Sequence, residues 1–139
     1  MDPSWPVIYE ADAYTGYEAL PGVAVYRARA GHDEVEDDAR ALVQACAAWL
    51  RSQAQPGRVL IVVDGMNSQS LGARRYYARY GDSVGADRLA LVGQDGFAWA
   101  MLTFFFSLYR PEGLKMRLFE HFDGAMEWLV EGLDADPAR

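Results

Sequence analysis

The fold is decided by residues 87–133, which read DRLALVGQDGFAWAMLTFFFSLYRPEGLKMRLFEHFDGAMEWLVEGL. Arg88 to Gly93 is a short apolar run closed by a glycine, and Lys115 to Phe119 alternates polar and apolar residues, so both segments predict strands. Gly96 to Tyr109 has the length of a helix, and Phe122 to Leu133 has the spacing of an amphipathic helix. Strand, helix, strand and helix joined by short connections indicate an α/β architecture.

The residues upstream extend this pattern. Val59 to Val63 is a continuous apolar run, which is typical of a central parallel strand covered on both faces. Trp5 to Tyr9 and Val23 to Arg29 predict two further strands, and we expect these two to pair antiparallel. Asp33 is the predicted N-cap of a helix that runs to about Ser52, with acidic residues in its first turns.

The complete order is β-β-α-β-α-β-α-β-α, which predicts a mixed, mainly parallel sheet. The chain has 139 residues, enough for a single sizeable core. No linker, repeat or low-complexity tract divides it, so we expect one domain over residues 1–133. Residues 134–139 are small and polar, and they are expected to form a flexible C-terminal tail.

Charge and composition narrow the range of partners. The formal net charge is −7, which argues against nucleic acid because phosphate binding needs a basic footprint. Residues 51–119 nevertheless carry nine basic and five acidic side chains, a local net charge of +4. The longest apolar run is shorter than the roughly 20 residues needed to cross a bilayer. With one cysteine, Cys46, and no secretory signal at the start, the expected location is the cytoplasm.

The segments that predict the sheet also resemble a known group of proteins. Val59–Asp64 precedes a serine-capped helix containing Ala73-Arg74-Arg75-Tyr76-Tyr77, and Arg88–Gly93 precedes the Phe104-Phe105-Phe106 helix, which ends at Arg110-Pro111. Arg117-Leu118-Phe119 then leads into Ala125-Met126-Glu127-Trp128-Leu129. Over residues 20–133 this order resembles the STAS (SpoIIAA-like) domains of bacterial anti-sigma-factor antagonists and their lipid-binding relatives. The resemblance implies a regulatory or scaffolding role through protein–protein contacts, with an apolar or lipid ligand as the alternative.

One motif of that group is missing. STAS antagonists that are phosphorylated carry Asp-Ser-Ser-Gly at the start of the helix after the third strand, whereas this chain has Asn67-Ser68-Gln69-Ser70-Leu71-Gly72. Ser68 and Ser70 lie where a phosphate could meet a helix N-terminus. The simpler interpretation is that one of them is the helix N-cap. A phosphorylation or anion site at these two serines is therefore a hypothesis.

The helix at residues 96–109 is the strongest candidate for a binding site. A helix packed on one face of a sheet normally keeps a polar stripe toward water, but this one offers only Thr103 and Ser107. A small domain has little chain with which to cover such a helix, so we expect a homodimer or partner interface, or one wall of an apolar ligand pocket. The candidate residues are Phe97, Trp99, Met101, Leu102, Phe104, Phe105, Phe106 and Tyr109.

Two aspartates support a third, enzymatic interpretation. Asp64 follows one central strand and Asp95 follows the next, so both are expected at the carboxyl edge of the parallel sheet, where open α/β folds place their sites. This arrangement faintly resembles metal-dependent nucleases of the NYN/PIN type. A divalent metal requires more oxygen ligands than two carboxylates, and aspartate after a strand is also an ordinary turn or cap residue.

No other motif points to catalysis or to a cofactor. The sequence has no phosphate-binding loop, dinucleotide fingerprint, zinc-binding His-Glu-x-x-His or nucleophile elbow, so no catalytic residue, metal or cofactor is predicted. Arg74, Arg75 and Arg79 share a helix with three tyrosines. They could bind an anion, although arginine stems packed over aromatic rings are the more common explanation.

Overall fold

The computed structural model describes residues 2–108 and 115–133, without the side chains of Asp82 and Leu108. Helices cover both faces of one six-stranded sheet. Tyr109 and the predicted tail at 134–139 lie outside the described residues. The strands are β1 Val7–Glu10, β2 Tyr14–Leu20, β3 Val23–Ala28, β4 Asp33–Glu34, β5 Arg58–Val62, β6 Ser68–Gln69, β7 Arg88–Val92 and β8 Lys115–Phe119. The helices are α1 Glu36–Arg51, α2 Leu71–Tyr80, α3 Gly96–Leu108 and α4 Phe122–Leu129, and a 3₁₀ turn, Gly81–Val84, follows α2.

The main sheet has the order β1-β2-β3-β5-β7-β8. The β3, β5, β7 and β8 strands run parallel, whereas β1 and β2 form an antiparallel extension. The mixed, mainly parallel α/β architecture expected from the sequence is therefore confirmed. The β4 and β6 strands form a separate two-stranded parallel ribbon that ties the loop after β3 to the loop after β5.

Two of the predicted details were wrong. Trp5–Tyr9 was expected to pair with the strand at Val23, but β2 lies between β1 and β3 and pairs with both. Asp33 was expected to cap α1, but it lies in β4, and Val35 is the N-cap residue. The Val35 amide donates to Asp38 Oδ2 at 3.0 Å, so an acid inside the first turn closes the helix start instead.

Successive side chains along each strand point to opposite faces of the sheet, so the core has two layers. On one face, Val25, Leu60 and Ala90 pack with Ala125 and Leu129 of α4. On the other face, the sheet packs against α1, α2 and α3 through a larger cluster, which includes Tyr26, Leu42, Val59, Leu91, Met101 and Leu102. A central strand such as β5 is buried on both sides, as its continuous apolar sequence predicted.

Arginines at the amino ends of two central strands hold α4 against the sheet. Arg58 Nη1 donates to the carbonyl oxygens of Leu129 at 2.7 Å and Glu131 at 2.6 Å, and Arg88 Nη1 donates to the Trp128 carbonyl at 2.7 Å. These oxygens belong to the last turn of α4 and the residues beyond it, where carbonyls lack helical partners. Cations at this end also complement the helix dipole.

Candidate functional site

The aromatic helix α3 presents two different faces. Ala98, Met101 and Leu102 are buried against the sheet, whereas Phe97 is 39% exposed and Phe104 is 56% exposed. Phe97 and Phe104 are seven residues apart, which places them on the same side of a helix. The predicted site residues therefore form an inward set and an outward set rather than a single surface.

The remaining predicted residues of this helix lie between these extremes. Trp99, Phe105 and Phe106 are half-buried, and Tyr109 lies outside the described residues. The prediction that one protomer does not fully cover the helix agrees with the exposure of Phe97 and Phe104.

A cavity of about 90 Å³ lies beside the inward face of α3. Met101, Leu102 and Phe105 form its α3 wall. The sheet and α1 contribute apolar side chains, and Met116 of β8 contributes a second flexible thioether. The other lining residues are Tyr14, Leu42, Val43, Cys46, Val59, Ile61, Gln69, Tyr77, Gly81, Val84, Leu89 and Leu91.

The cavity has one polar end, where a carboxylate is buried behind its wall. Glu34 is 1% exposed. Its Oε2 accepts a hydrogen bond from the Tyr77 hydroxyl at 2.5 Å, and its Oε1 accepts one from Gln69 Nε2 at 2.7 Å. The Tyr14 hydroxyl is a third hydrogen-bond partner of this carboxyl group. Tyr14, Gln69 and Tyr77 all line the cavity, so the residues that surround the Glu34 carboxyl group also form part of the cavity wall.

Burial dominates the ionisation of this cluster. It raises the pKa of Glu34 above its ordinary value, although the three hydrogen bonds act in the opposite direction. Burial also raises the pKa of Tyr14 and Tyr77 well above 10. Burial raises the pKa of the Cys46 thiol to about 12, so at neutral pH this residue is an apolar wall of the cavity and not a nucleophile.

The sequence did not reveal this polar end. Glu34 was assigned to the acidic first turn of a helix, and Tyr14 lies in the strand that was missed. The available signal was Tyr77, which belongs to the tyrosine-rich α2 but points to the cavity together with Gln69 of β6. Residues of four elements, β2, β4, β6 and α2, meet here. The β4–β6 ribbon brings Glu34 and Gln69 together.

Asp64 and Asp95 do lie together at the carboxyl edge of the sheet, as the sequence predicted, but their oxygens are engaged by backbone. Asp64 Oδ1 accepts from the amides of Gln94 at 2.6 Å and Asp95 at 2.8 Å. Asp95 accepts from Gly65 at 3.0 Å and, as the N-cap of α3, from Ala98 at 2.7 Å. Within residues 2–108 and 115–133, no three His, Cys, Asp or Glu side chains are grouped to hold a metal ion. These hydrogen bonds fasten the loop after β5 to the loop after β7.

The two candidate serines have different environments. Ser70 is the N-cap of α2, and its hydroxyl accepts from the Ala73 amide at 3.0 Å. Ser68 lies in β6, and its hydroxyl donates to Asp33 Oδ1 at 2.6 Å. The hydrogen bonds from Ser68 and Asn67 lower the pKa of Asp33. A phosphate on Ser68 would therefore meet a carboxylate, whereas one on Ser70 would meet a helix N-terminus.

The mixed, mainly parallel sheet with helices on both faces defines a SpoIIAA-like α/β domain. An uncharacterised protein of the DUF3478 family from Shewanella loihica PV-4, with a SpoIIAA-like fold, matches with a TM-score of 0.55. Its sequence is 17% identical, and the match covers 91% of this chain and 92% of that chain, so the similarity concerns the fold alone.

Within this class, the chain belongs to the family described as Domain of unknown function (DUF7793), whose model matches residues 23–132. No curated protein matches the sequence. In the part of the chain that the structure describes, no helix has both the length and the apolar character required to span a membrane.

Proposed function

We propose that this protein is a SpoIIAA-like binding domain that takes up a small apolar ligand in the cavity beside α3. The main support for this proposal is the cavity itself. Its wall is almost entirely apolar and includes Met101, Phe105 and Met116. Methionine side chains repack easily, so a cavity of about 90 Å³ can adapt to ligands of somewhat different shape. Tyr14, Gln69 and Tyr77 provide a polar end that would orient a ligand carrying one polar group.

The energetic cost of the cavity supports this proposal. An unfilled cavity costs about 24 cal/mol per Å³, so 90 Å³ corresponds to about 2 kcal/mol. This is a considerable part of the total stability of a small domain, about 5–15 kcal/mol. A ligand that fills the space recovers the lost packing, and its binding stabilises the fold by mass action.

The experiment compares two matched substitutions. Leu91→Phe adds volume to the wall of the cavity, whereas Leu71→Phe makes the same change on α2 at a residue that is 58% exposed. Toluene is titrated into methionine-methyl-labelled protein, and the NMR shifts of Met101 and Met116 are followed. We expect saturable shifts in the wild type and in Leu71→Phe, and their loss in Leu91→Phe.

Unfolding free energies provide a second readout. Leu91→Phe is expected to stabilise the ligand-free protein by about 1 kcal/mol, because it fills part of the cavity. Mass spectrometry of an organic extract of the purified protein then identifies any apolar molecule that it carries. Toluene shifts that never saturate, or that persist unchanged in Leu91→Phe, would contradict the proposal.

A second candidate function, supported by the outward face of α3, is protein contact, in the first instance with a second copy of the chain. The exposed parts of Phe97 and Phe104 (39% and 56%) together amount to on the order of 200 Å². Their burial would contribute about 5 kcal/mol per protomer, or about 10 kcal/mol in a symmetric dimer. Association costs are of similar size, so we expect a dimer that dissociates on dilution. A regulatory or scaffolding role of the STAS kind would use this face.

Sedimentation across a dilution series tests this contact. Phe104→Asp changes only an exposed ring, and Leu71→Asp is its control because Leu71 is similarly exposed on another helix. The dimer should be lost in the first variant and retained in the second. A wild-type chain that stays monomeric at every concentration would exclude the homodimer.

A further inference from the structure

A groove between α1 and α2, here called the arginine groove, has a different chemistry from the cavity. Its volume is about 370 Å³, which is within the range of small-molecule sites. Three arginines and two tyrosines dominate its wall. The lining residues are Glu36, Arg40, Gly72, Arg75, Tyr76, Arg79 and Tyr80.

Helical spacing brings these side chains together. Arg75 and Arg79 are four residues apart on α2, as are Tyr76 and Tyr80, so each pair lies along one side of the helix. The two tyrosine rings pack with their centroids 4.7 Å apart. The Arg40 guanidinium of α1 lies 5.3 Å from the centroid of Tyr76, and that of Arg79 lies 5.5 Å from the centroid of Tyr80. Aromatic rings therefore support two of the three cationic groups.

Gly72 leaves room for the Glu36 side chain where the two helices meet. A Cβ atom at Gly72 would lie 3.0 Å from Glu36 Oε1, so a larger residue there would require the Glu36 side chain to shift by a few tenths of an ångström. Glu36 Oε2 accepts a hydrogen bond from Arg40 Nη2 at 2.8 Å. This single carboxylate leaves the lining of the groove with three positive charges and one negative, a net charge of +2, on a chain of net charge −7.

Two of the cations have no ion-pair partner among the carboxylates that the structure describes. Among residues 2–108 and 115–133, neither Arg75 nor Arg79 forms a salt bridge with a described carboxylate. Guanidinium groups present several donors in a planar fork, which matches the oxygens of a phosphate group. Acidic side chains outnumber basic ones in this chain by 20 to 13. Two arginines that lack an ion-pair partner among the described carboxylates, beside a third in one groove, therefore favour an external anion.

We propose that the arginine groove binds the phosphate group of a small phosphorylated molecule. Arg75 and Arg79 donate to the phosphate oxygens, and Arg40 adds positive charge from the opposite wall. Tyr80, exposed beside Arg79, offers an aromatic ring on which a planar group of the ligand can stack. This site is distinct from the apolar cavity, because the two share no lining residue.

Calorimetric titration at low ionic strength tests the proposal with two probes, inorganic pyrophosphate and ADP. We expect saturable binding with a dissociation constant of about 1 mM or tighter. Arg75→Ala and Arg79→Ala should each weaken binding about tenfold, since each removes charge-assisted hydrogen bonds to the phosphate oxygens. Arg51→Ala is the control, because it removes an exposed arginine from the far end of α1. Tighter binding of ADP would identify a nucleotide-like ligand, and equal binding would identify recognition of the phosphate group alone.

Two results would overturn the proposal. One is that neither pyrophosphate nor ADP shows saturable binding up to about 10 mM, well above the expected dissociation constant. The other is equal weakening by Arg51→Ala, which would mean that only general charge is sensed. All variants are first compared with the wild type by thermal unfolding. Leu91→Phe, which alters the apolar cavity, should leave pyrophosphate binding unchanged, so failure at one site is separable from failure at the other.

Discussion

Asp64 and Asp95 each accept hydrogen bonds from the backbone of the loop that carries the other. Asp64 Oδ1 receives the Gln94 and Asp95 amides at 2.6 and 2.8 Å, and Asp95 Oδ2 receives the Gly65 amide at 3.0 Å. The hydrogen bonds from Ala98 and Gly65 lower the pKa of Asp95. This reciprocal pairing fastens the two loops at the carboxyl edge of the sheet and sets the start of α3, the helix that walls the cavity.

The first prediction concerns this pair. Asp95→Ala removes the N-cap of α3 and should lower the unfolding free energy by about 1–2 kcal/mol. Asp64→Ala leaves two amides without their acceptor and should cost about as much. The double variant should lose less than the sum of the two, because either change already separates the loops. Urea unfolding measures all four proteins, and strictly additive losses would contradict the coupling.

Addition of Mg²⁺ provides a separate check on the same residues. Asp64 Oδ1 and both oxygens of Asp95 already have backbone donors, so we expect no rise in the melting temperature with Mg²⁺, in the wild type or in Asp64→Asn. A saturable, Mg²⁺-dependent rise that disappears in Asp64→Asn would instead support the nuclease-like interpretation.

The second prediction concerns the pH dependence of Glu34. Burial raises its pKa in the folded protein above the ordinary value of 4.5, which we take for the unfolded chain. At a pH between these two values, the folded protein holds a proton on Glu34 that the unfolded chain has released. The free energy of unfolding therefore falls as the pH rises through this range. Below pH 4.5 both states are protonated, and this cost disappears.

Glu34→Gln removes that titration and keeps the shape of the side chain. The unfolding free energy of the variant minus that of the wild type should therefore increase from about pH 4.5 upward and level off above the folded-state pKa. Taking the difference cancels the contributions of the other carboxyl groups. Glu10→Gln, on the exposed edge of β1, controls for the loss of one charge. A Glu34→Gln difference that falls with rising pH would show that the hydrogen bonds, not burial, dominate.

The elements predicted best were those whose whole length is apolar or periodic. β8 was predicted at its observed bounds, Lys115–Phe119, and β7 was observed one residue shorter than predicted. The strand at Val59 and the amphipathic α1 were also identified, because each carries its burial pattern within its own residues. The burial of such a segment in the fold follows the pattern of apolar residues in its own sequence, so the sequence alone predicts it.

The β2 strand was not predicted from the sequence. β2 contains Gly16, which reads as a turn residue. In the structure Gly16 lies opposite both Tyr9 and Tyr26, and a Cβ atom there would lie 2.7 Å from the Tyr26 ring. The glycine is thus a strand residue over which an aromatic ring from the next strand can lie. That relationship spans ten residues of sequence and has no local signature.

The candidate site was predictable only in part, for the same reason. α3 was identified as the binding element because its own sequence is apolar on every side. The division between its cavity wall and its exposed face depends on what packs beside it. Glu34 illustrates the limit most clearly, since an acidic residue before a helix predicts solvent exposure, and its burial depends on Gln69 and Tyr77.

The third prediction concerns Arg58, which connects β5 to the end of α4. It is 9% exposed, and its Nε lies 3.3 Å from Asp87 Oδ2 in an ion pair. Arg58→Met preserves the apolar stem but leaves the Leu129 and Glu131 carbonyl oxygens without their donor, and should cost about 2–4 kcal/mol. Arg75→Met, on an exposed helix face, should stay within about 0.5 kcal/mol of the wild type. Thermal unfolding compares the two, and equal losses would contradict the capping role.

The fourth prediction separates the two candidate serines, Ser68 in the β4–β6 ribbon and Ser70 at the N-cap of α2. The ribbon is held by amides, since Asn67 donates to the His32 carbonyl at 2.9 Å and Ser70 donates to the Glu34 carbonyl at 2.8 Å. Ser68→Asp replaces a hydroxyl donor with a carboxylate beside Asp33, so like charges should loosen the ribbon. Ser70→Asp keeps a good N-cap at α2, because aspartate caps a helix about as well as serine. Hydrogen exchange at the Asn67 and Ser70 amides should therefore be several-fold faster in Ser68→Asp and nearly unchanged in Ser70→Asp.

A cavity readout extends this comparison to function. Gln69 belongs to the ribbon and holds Glu34 at the polar end of the cavity, so loosening the ribbon should also weaken toluene binding. If Ser68→Asp speeds exchange and leaves toluene binding intact, the ribbon and the cavity are independent, and phosphorylation of Ser68 would have no route to the ligand. If both change together, a negative charge on Ser68 regulates the cavity through Glu34. Ser68→Ala removes the hydroxyl without adding charge, so it distinguishes repulsion from the simple loss of a hydrogen bond.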